Sequence, residues 1–121
     1  MKAMPTLHDW LLYSVELGDR SVRIGFRAPE GNETRFLIAE GVEDFLCNDM
    51  REGNTVLAVD HGIEHASDDI LRRLLYLGPV EESPALKRLR DQIEAGALEF
   101  VSILPSYGAA IALTAKTVAI E

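Results

Sequence analysis

The sequence predicts an α+β fold, in which two helices pack on one face of an antiparallel β-sheet of five to six strands. The predicted element order is β-β-β-β-α-α-β-β. Three observations favour this class: apolar and polar residues alternate in the first half, helical periodicity is confined to 67–96, and hairpin-length turns separate neighbouring strands. The 121 residues fit a single domain over 1–121, and the composition, 47% hydrophobic and 26% charged, is that of an ordinary globular protein.

Three strands are predicted before residue 41. In the first strand, one apolar face is expected to carry Leu11, Tyr13, Val15 and Leu17. A turn at Gly18-Asp19 leads to the second strand, which has the clearest alternation of the chain. Its predicted buried residues are Val22, Ile24, Phe26 and Ala28. Residues 34–40 follow as a third strand. The short turns between these segments favour an antiparallel meander.

The middle of the chain is less regular. Residues 41–54 contain one short apolar group at 45–47, flanked by polar residues, and no element is predicted there, whereas the β-branched stretch 55–59 predicts a fourth strand. Two helices follow. Ser67 is expected to cap the first helix, which Gly78-Pro79 ends, and Ser83-Pro84 is expected to start the second, which ends at Gly96.

Two final strands are predicted at 98–104 and 109–120. Small residues dominate the second of these, in which Ala109, Ala110, Ala112, Ala115 and Ala119 recur. Such a surface suits close coverage by a helix or by another copy of the chain, so a homodimer is one expectation. The aromatic residues of the first half occupy mostly apolar strand positions and are expected in the core rather than in a stacking platform. They are Trp10, Tyr13, Phe26 and Phe36.

Composition limits the compartment and the partners. Cys47 is the only cysteine, no apolar signal-peptide core precedes the first strand, and the longest uncharged stretch is broken by Pro105 and Gly108. These features predict a cytoplasmic protein without a membrane partner. The net charge of −8 and the isoelectric point of about 4.8 argue against nucleic-acid binding by phosphate neutralisation.

The net charge is concentrated in one segment, residues 40–69. This segment has nine acidic residues and one basic residue, Arg51, so it alone carries −8. One interpretation is a solvated acidic edge that aids solubility. The other is a docking surface for a basic protein, because complementary potentials speed association. On that interpretation the expected partner-binding residues are Glu43, Asp44, Asp49, Asp60 and Glu64. Their spacing does not match a calcium loop, and no cofactor is expected.

One motif resembles a metal site. His61, Glu64 and His65 match the H-x-x-E-H spacing of inverted zinc peptidases, in which a helix brings both histidines to one metal ion. Here Gly62 lies inside the motif and a predicted strand precedes it, so His61 and His65 are expected to be ordinary surface or turn residues. A small metal-dependent hydrolase that uses these residues, with His8, stays as the alternative. We expect no catalytic residue and no metal.

The stretch from Leu7 to Leu17, which opens L-H-D-W, and the segment Ala39-Glu40-Gly41-Val42-Glu43-Asp44 resemble a family of small bacterial proteins with an L-H-D-W strand. The resemblance covers about residues 7–46. These proteins are similar in size and acidity to immunity proteins of bacterial toxin systems. The resemblance implies no catalytic activity and supplies no site residues, and the predicted helices of 67–95 depart from its pattern.

Together these observations predict a non-enzymatic protein-interaction module whose acidic surface binds a basic partner. Its concrete form is an immunity-type inhibitor of a bacterial toxin. The alternatives are the metal-dependent hydrolase and a homo-oligomeric structural or ligand-carrying protein.

Overall fold

A computed structural model describes residues 6–121. The six strands and two α-helices follow the predicted order, with a short 3-10 helix at Ile63–His65 added before the first α-helix. The elements are β1 (Leu11–Gly18), β2 (Ser21–Arg27), β3 (Thr34–Asn48), β4 (Asn54–His61), α1 (Asp68–Leu74), α2 (Pro84–Glu94), β5 (Glu99–Tyr107) and β6 (Ala110–Ile120). The α+β class is confirmed. The part of the signal-peptide prediction that rests on residues 1–5 lies outside the described residues.

The antiparallel sheet closes into a barrel with the strand order β1-β2-β3-β6-β5-β4. Because β4 returns to lie beside β1, the order 4-1-2-3 within the barrel is that of a Greek key. The β3–β6 pairing is long and runs from Leu37–Ile120 to Asn48–Ala110. The β1–β4 pairing that completes the ring is short: it joins Leu11 to Thr55 and Leu12 to Asn54, and backbone hydrogen bonds of Val56 with Asp9 and Trp10 extend it. The antiparallel pairing was predicted, but the closure was not.

The inward face of β2 is as predicted. Val22, Ile24 and Phe26 are buried in the barrel core, while Arg23 between them and Arg27 after them are exposed. The same core takes the inward residues of the other strands, including Leu37 of β3 and Leu113 of β6. Strict alternation along β2 therefore places its arginines on the outer surface of the barrel.

The predicted face of β1 is wrong at its first residues. Leu12 is the buried residue of this strand, whereas Leu17 and Tyr13 are exposed. The register against β2 shifts between Leu12 and Ser14, so Tyr13 is the extra residue of a β-bulge. A bulge reverses which residues face inward, so the predicted face fails at Leu11 and Tyr13, whereas Val15 beyond the bulge packs against the core as predicted. Tyr13 consequently lies outside the core in which it was expected.

The predicted third strand, 34–40, is too short, because β3 continues to Asn48. This second half of β3 pairs with β6, where Ala112 and Ala110 lie opposite Leu46 and Asn48. A second register shift between Val42 and Asp44 breaks the alternation, which hides the strand from a period-2 analysis.

Both helix starts are confirmed. Ser67 and Ser83 accept hydrogen bonds through their hydroxyl oxygens from the backbone N–H groups of Ile70 and Ala85, at 3.3 and 3.2 Å. Gly96 follows the end of α2 with φ +79, as predicted, but α1 ends before Gly78.

The end of α1 has a Schellman arrangement. Tyr76 adopts φ +58, and the N–H of Leu77 donates to the carbonyl of Arg72 at 2.8 Å. This left-handed position is filled by a tyrosine, so the end of α1 carries no glycine signal in the sequence.

The helices share a second apolar cluster with the outer surface of two strands. Leu71 and Leu74 of α1 and Leu89 of α2 belong to it, together with Phe100 of β5 and Ala112 of β6. Within residues 6–121, no helix has the length and apolar character needed to cross a membrane. The helices therefore cover part of the outer surface of β5 and β6 and also contact β3, whose Leu46 packs against the same cluster.

Candidate functional site

The acidic segment 40–69 has little internal charge compensation. Two of its nine carboxylates form ion pairs with arginines: Glu43 with Arg20 at 3.0 Å, and Asp68 with Arg90. Within the part of the chain that the structure describes, the other seven have no lysine or arginine nitrogen within 4.0 Å. Most of the segment's charge is therefore available to an external partner.

Three large apolar side chains are exposed on the outer surface of β4 and β5. Leu57 is 48% exposed, Leu104 42% and Tyr107 56%. The strand register brings them together, because Tyr107 lies opposite Thr55 and Leu104 lies opposite Ala58. Two register shifts lie here: Ser106 is the extra residue on β5, and Leu57 is the extra residue on β4. We call the surface formed by Leu57, Leu104, Tyr107 and the acidic residues at the two ends of β4 the β4–β5 face.

Carboxylates lie at both ends of this face. Asp49 is exposed in the turn that precedes β4. At the other end of β4, Asp60 lies opposite Ser102. This pair is two residues along each strand from the Ala58–Leu104 pair and therefore lies on the same surface. The His65 ring approaches two carboxylates: its Nδ1 is 3.7 Å from Asp60 and its Nε2 is 3.7 Å from Glu64. The face thus has an apolar centre between two acidic ends.

The other two predicted partner-binding residues lie elsewhere. Glu43 and Asp44 are on β3. Two strands separate Asp44 from β4, because Asp44 pairs with Thr114 of β6 and Thr114 pairs with Phe100 of β5. Asp44 lines a cleft beside α2 with Arg88 and accepts a hydrogen bond from the Thr114 hydroxyl at 2.9 Å. Burial raises the pKa of Asp44, and this hydrogen bond offsets part of the shift. Of the five residues, the structure brings Asp60 and Glu64 together near the end of β4, and Asp49 lies in the turn that joins β3 to β4.

The two histidines of the H-x-x-E-H motif have separate surroundings. His61 Nε2 lies 3.0 Å from Glu99 Oε1, and the other oxygen of Glu99 accepts the Val118 N–H at 2.8 Å. The cleft beside His61 has a volume of about 420 Å³ and includes Lys116 but neither His8 nor His65. Within residues 6–121, no group of three histidine, cysteine, aspartate or glutamate side chains is arranged to hold a metal ion. The convergence that the hydrolase hypothesis requires is therefore not seen in this part of the chain.

The apolar centre of the β4–β5 face was not identified from the sequence. Leu57 lies in the run Val56-Leu57-Ala58-Val59, in which no polar residue marks the outward positions. Leu104 and Tyr107 flank Pro105 in a segment whose strand was expected to end at 104. The one available signal was the unusually apolar composition of two adjacent strands, which equally describes strands buried on both sides.

Comparisons of the chain with protein-family models, with curated proteins and with solved structures give no match.

Proposed function

We propose that this protein is a non-enzymatic interaction module that binds a basic protein partner through the β4–β5 face. The observation that carries the proposal is the arrangement along β4, in which exposed Leu57, Leu104 and Tyr107 lie between the β3–β4 turn, which carries Asp49, and Asp60 with Glu64 at the other end of the strand. None of these three carboxylates has a lysine or arginine partner among residues 6–121.

This arrangement has the anatomy of a protein-binding surface. Interfaces combine a desolvated apolar centre, often aromatic, with a polar rim. At about 3.3 Å per residue, the eight residues of β4 extend about 25 Å, a length suited to an interface that buries about 800 Å² per partner. The carboxylates would guide a basic protein onto the face, and the apolar side chains would supply most of the burial on contact.

The concrete form of the proposal is an immunity-type inhibitor that covers the basic groove of a bacterial toxin. The net charge of −8 and the resemblance of residues 7–46 to small acidic bacterial proteins support it. Glu43 and Asp44 lie away from the contact surface in this proposal. They would contribute to the long-range potential that attracts the partner rather than to the interface itself.

The test is affinity capture from a lysate of the source cells, with quantitative mass spectrometry of the bound proteins. One variant removes charge from the face, Asp49→Asn with Asp60→Asn and Glu64→Gln, and a second removes the apolar centre, Leu57→Ser with Leu104→Ser. The matched control, Asp19→Asn with Glu30→Gln and Glu33→Gln, removes three exposed carboxylates from other turns.

We expect wild type and control to retain the same basic protein in about 50 mM salt and to lose most of it in about 500 mM salt. Both face variants should retain about tenfold less, or lower, in the low-salt condition. Equal retention by the charge variant and its control would reject the proposed face. Sedimentation of the wild type addresses a homodimer: a dimer that Leu57→Ser with Leu104→Ser dissociates would assign the face to self-association instead.

A further inference from the structure

A second surface feature lies on the outside of β1, β2 and β3. Tyr13, the bulge residue of β1, has its ring across Gly25 of β2. A Cβ atom added at Gly25 would lie 2.9 Å from Tyr13 Cζ and would also collide with the Ser14 hydroxyl oxygen. The bulge turns the tyrosine outward and the glycine leaves room for its ring, so two independent features of the backbone hold Tyr13 flat against the barrel wall. The side chain remains 44% exposed.

Arginines and aromatic rings alternate across this surface. The Arg27 guanidinium lies over the Tyr13 ring, 5.4 Å from its centroid. The Tyr13 ring meets Phe36 edge to face, with centroids 6.4 Å apart, and Arg23 lies 3.9 Å over Phe36. Contact with a ring face restricts each guanidinium, so the charge of Arg27 is held in place before any ligand arrives.

A groove of about 440 Å³ opens beside Tyr13, between β1 and the turn that precedes β4. Its apolar wall comprises Leu11, Leu12, Tyr13, Val15 and Met50. Arg27 and Arg51 also line it, with Glu52 as the single acidic residue. Among residues 6–121 neither arginine forms an ion pair, although the chain as a whole has many more acidic than basic residues. Two uncompensated guanidiniums beside an apolar wall are unexpected on such a protein.

We propose that this groove binds a small aromatic anion, a planar ring system that carries a carboxylate or a phosphate group. The ring would pack against Tyr13, Met50 and Val15, and the anionic group would accept hydrogen bonds from Arg27 and Arg51. Guanidinium groups favour these anions because their N–H fork matches two oxygens of a carboxylate or phosphate.

The groove favours this ligand over a bare anion and over a neutral ring. A bare anion would bind two solvent-accessible arginines weakly, because exposed ion pairs contribute little. A neutral ring would leave the positive charge uncompensated. The volume lies in the range of small-molecule sites, and the predominantly apolar lining with a few placed polar groups is typical of them. The inference is independent of the β4–β5 face, which it does not use.

The test is an NMR titration of the ¹⁵N-labelled chain with naphthalene-2-carboxylate, 1-naphthyl phosphate and the neutral 2-naphthamide. We expect both anions to shift amide signals of 11–15, Arg27 and 50–54, and the amide to bind at least about tenfold more weakly. The tighter of the two anions identifies the class of ligand. Equal binding of the amide, or shifts scattered over the barrel, would overturn the proposal.

Variants locate the charge. Arg27→Gln with Arg51→Gln should weaken binding of the anions about tenfold or more and leave the amide unchanged. The matched control, Arg73→Gln with Arg88→Gln, removes two helix arginines that form no ion pair in the described residues and should bind like the wild type. Preserved spectral dispersion shows that each variant is folded. If the groove variant binds as tightly as the control, the arginines are not the anion site and the proposal fails.

Discussion

Asn54 and Ala109 join two turns of the barrel through a hydrogen bond: the backbone N–H of Ala109 donates to Asn54 Oδ1 at 3.0 Å. The same oxygen accepts the Arg51 N–H at 2.8 Å, and Asn54 Nδ2 donates to the Arg51 carbonyl at 2.6 Å. Gly108 packs so closely that an added Cβ would collide with Asn54 Oδ1. One buried amide therefore fixes the turn before β4 against the turn before β6, at the end of the β4–β5 face where Thr55 pairs with Tyr107.

Asn54→Ala should lower the free energy of unfolding by about 2–3 kcal/mol, because it leaves buried backbone groups of both turns without partners. Urea denaturation measures the change. Asn32→Ala, in an exposed turn, is the matched control and should change stability by less than about 0.5 kcal/mol. A loss at Asn54 no larger than the control's would mean that water replaces the side chain at this position.

Asp44 should show a pH-dependent stability effect of a defined sign. Its pKa is raised from the usual value of 3.8, mainly by burial, with the charge of Glu43 adding to the shift and the Thr114 hydrogen bond opposing it. The folded state thus binds this proton more tightly than the unfolded state. Ionisation of Asp44 therefore costs stability, and the cost grows as the pH rises from 3.8 through the folded pKa.

Asp44→Asn removes that cost and keeps an acceptor for Thr114. At pH 7 the variant should be at least as stable as wild type, and the difference should vanish below pH 3.8. Asp44→Ala leaves the buried Thr114 hydroxyl without its partner and should be about 1–2 kcal/mol less stable at either pH. Denaturation of the three proteins across this pH range checks the sign. An Asn variant that is clearly less stable than wild type at pH 7 would contradict it.

Arg90 connects the two helices. Its guanidinium donates to the Ala66 carbonyl at 2.7 Å and to Asp68 at 3.0 Å through Nε. Arg90→Met keeps much of the apolar stem but removes these charge-assisted bonds, so we expect a loss of about 1–2 kcal/mol. The substitution should speed amide hydrogen exchange in α1 by more than it speeds exchange in β5. Arg88→Met on the same helix lacks an ion pair and is the control; equal losses in both variants would assign the effect to helix propensity instead.

Gly25→Ala should affect the groove more than the fold. The added methyl displaces the Tyr13 ring and the Ser14 hydroxyl, both of which can rotate, so the expected cost is about 1 kcal/mol. Binding of naphthalene-2-carboxylate should nevertheless fall, because Tyr13 no longer forms the wall of the groove. Near-ultraviolet circular dichroism reports the displacement of the tyrosine. Unchanged binding despite a changed spectrum would show that the wall does not require Tyr13.

The elements that were predicted correctly depend on interactions between residues close together in the sequence. The alternation of β2 and the serine caps of both helices depend on neighbours within a few residues, and each is found where expected. The failures coincide with bulges. One extra residue at Tyr13 reverses the faces of β1, and the register shift beside Val42 disguises the second half of β3 as loop. A bulge is specified by the partner strand, which a single segment does not contain.

The sequence predicted the negative charge of the candidate site but not the spatial arrangement of its residues. The acidic segment was evident from composition, yet its residues divide between β3 and β4, which the barrel places apart. Which of them lie together depends on the closing order of the strands. The apolar centre at Leu57 and Leu104 arises from register between β4 and β5, and that pairing spans more than 40 positions of sequence.

The short β1–β4 pairing has a consequence for the order of folding. The β1–β2–β3 meander needs only local turns, whereas the ring closes when β1 meets β4, at Leu11–Thr55 and Leu12–Asn54. A pairing between segments far apart in sequence loses a large loop-closure entropy when it forms. With few residue pairs it gains little contact energy in return, so it forms late and opens first. The β1–β4 pairing, at which the ring would open, thus lies beside the Tyr13 groove. A ligand bound in that groove would stabilise the β1–β4 pairing and slow the unfolding of the whole barrel.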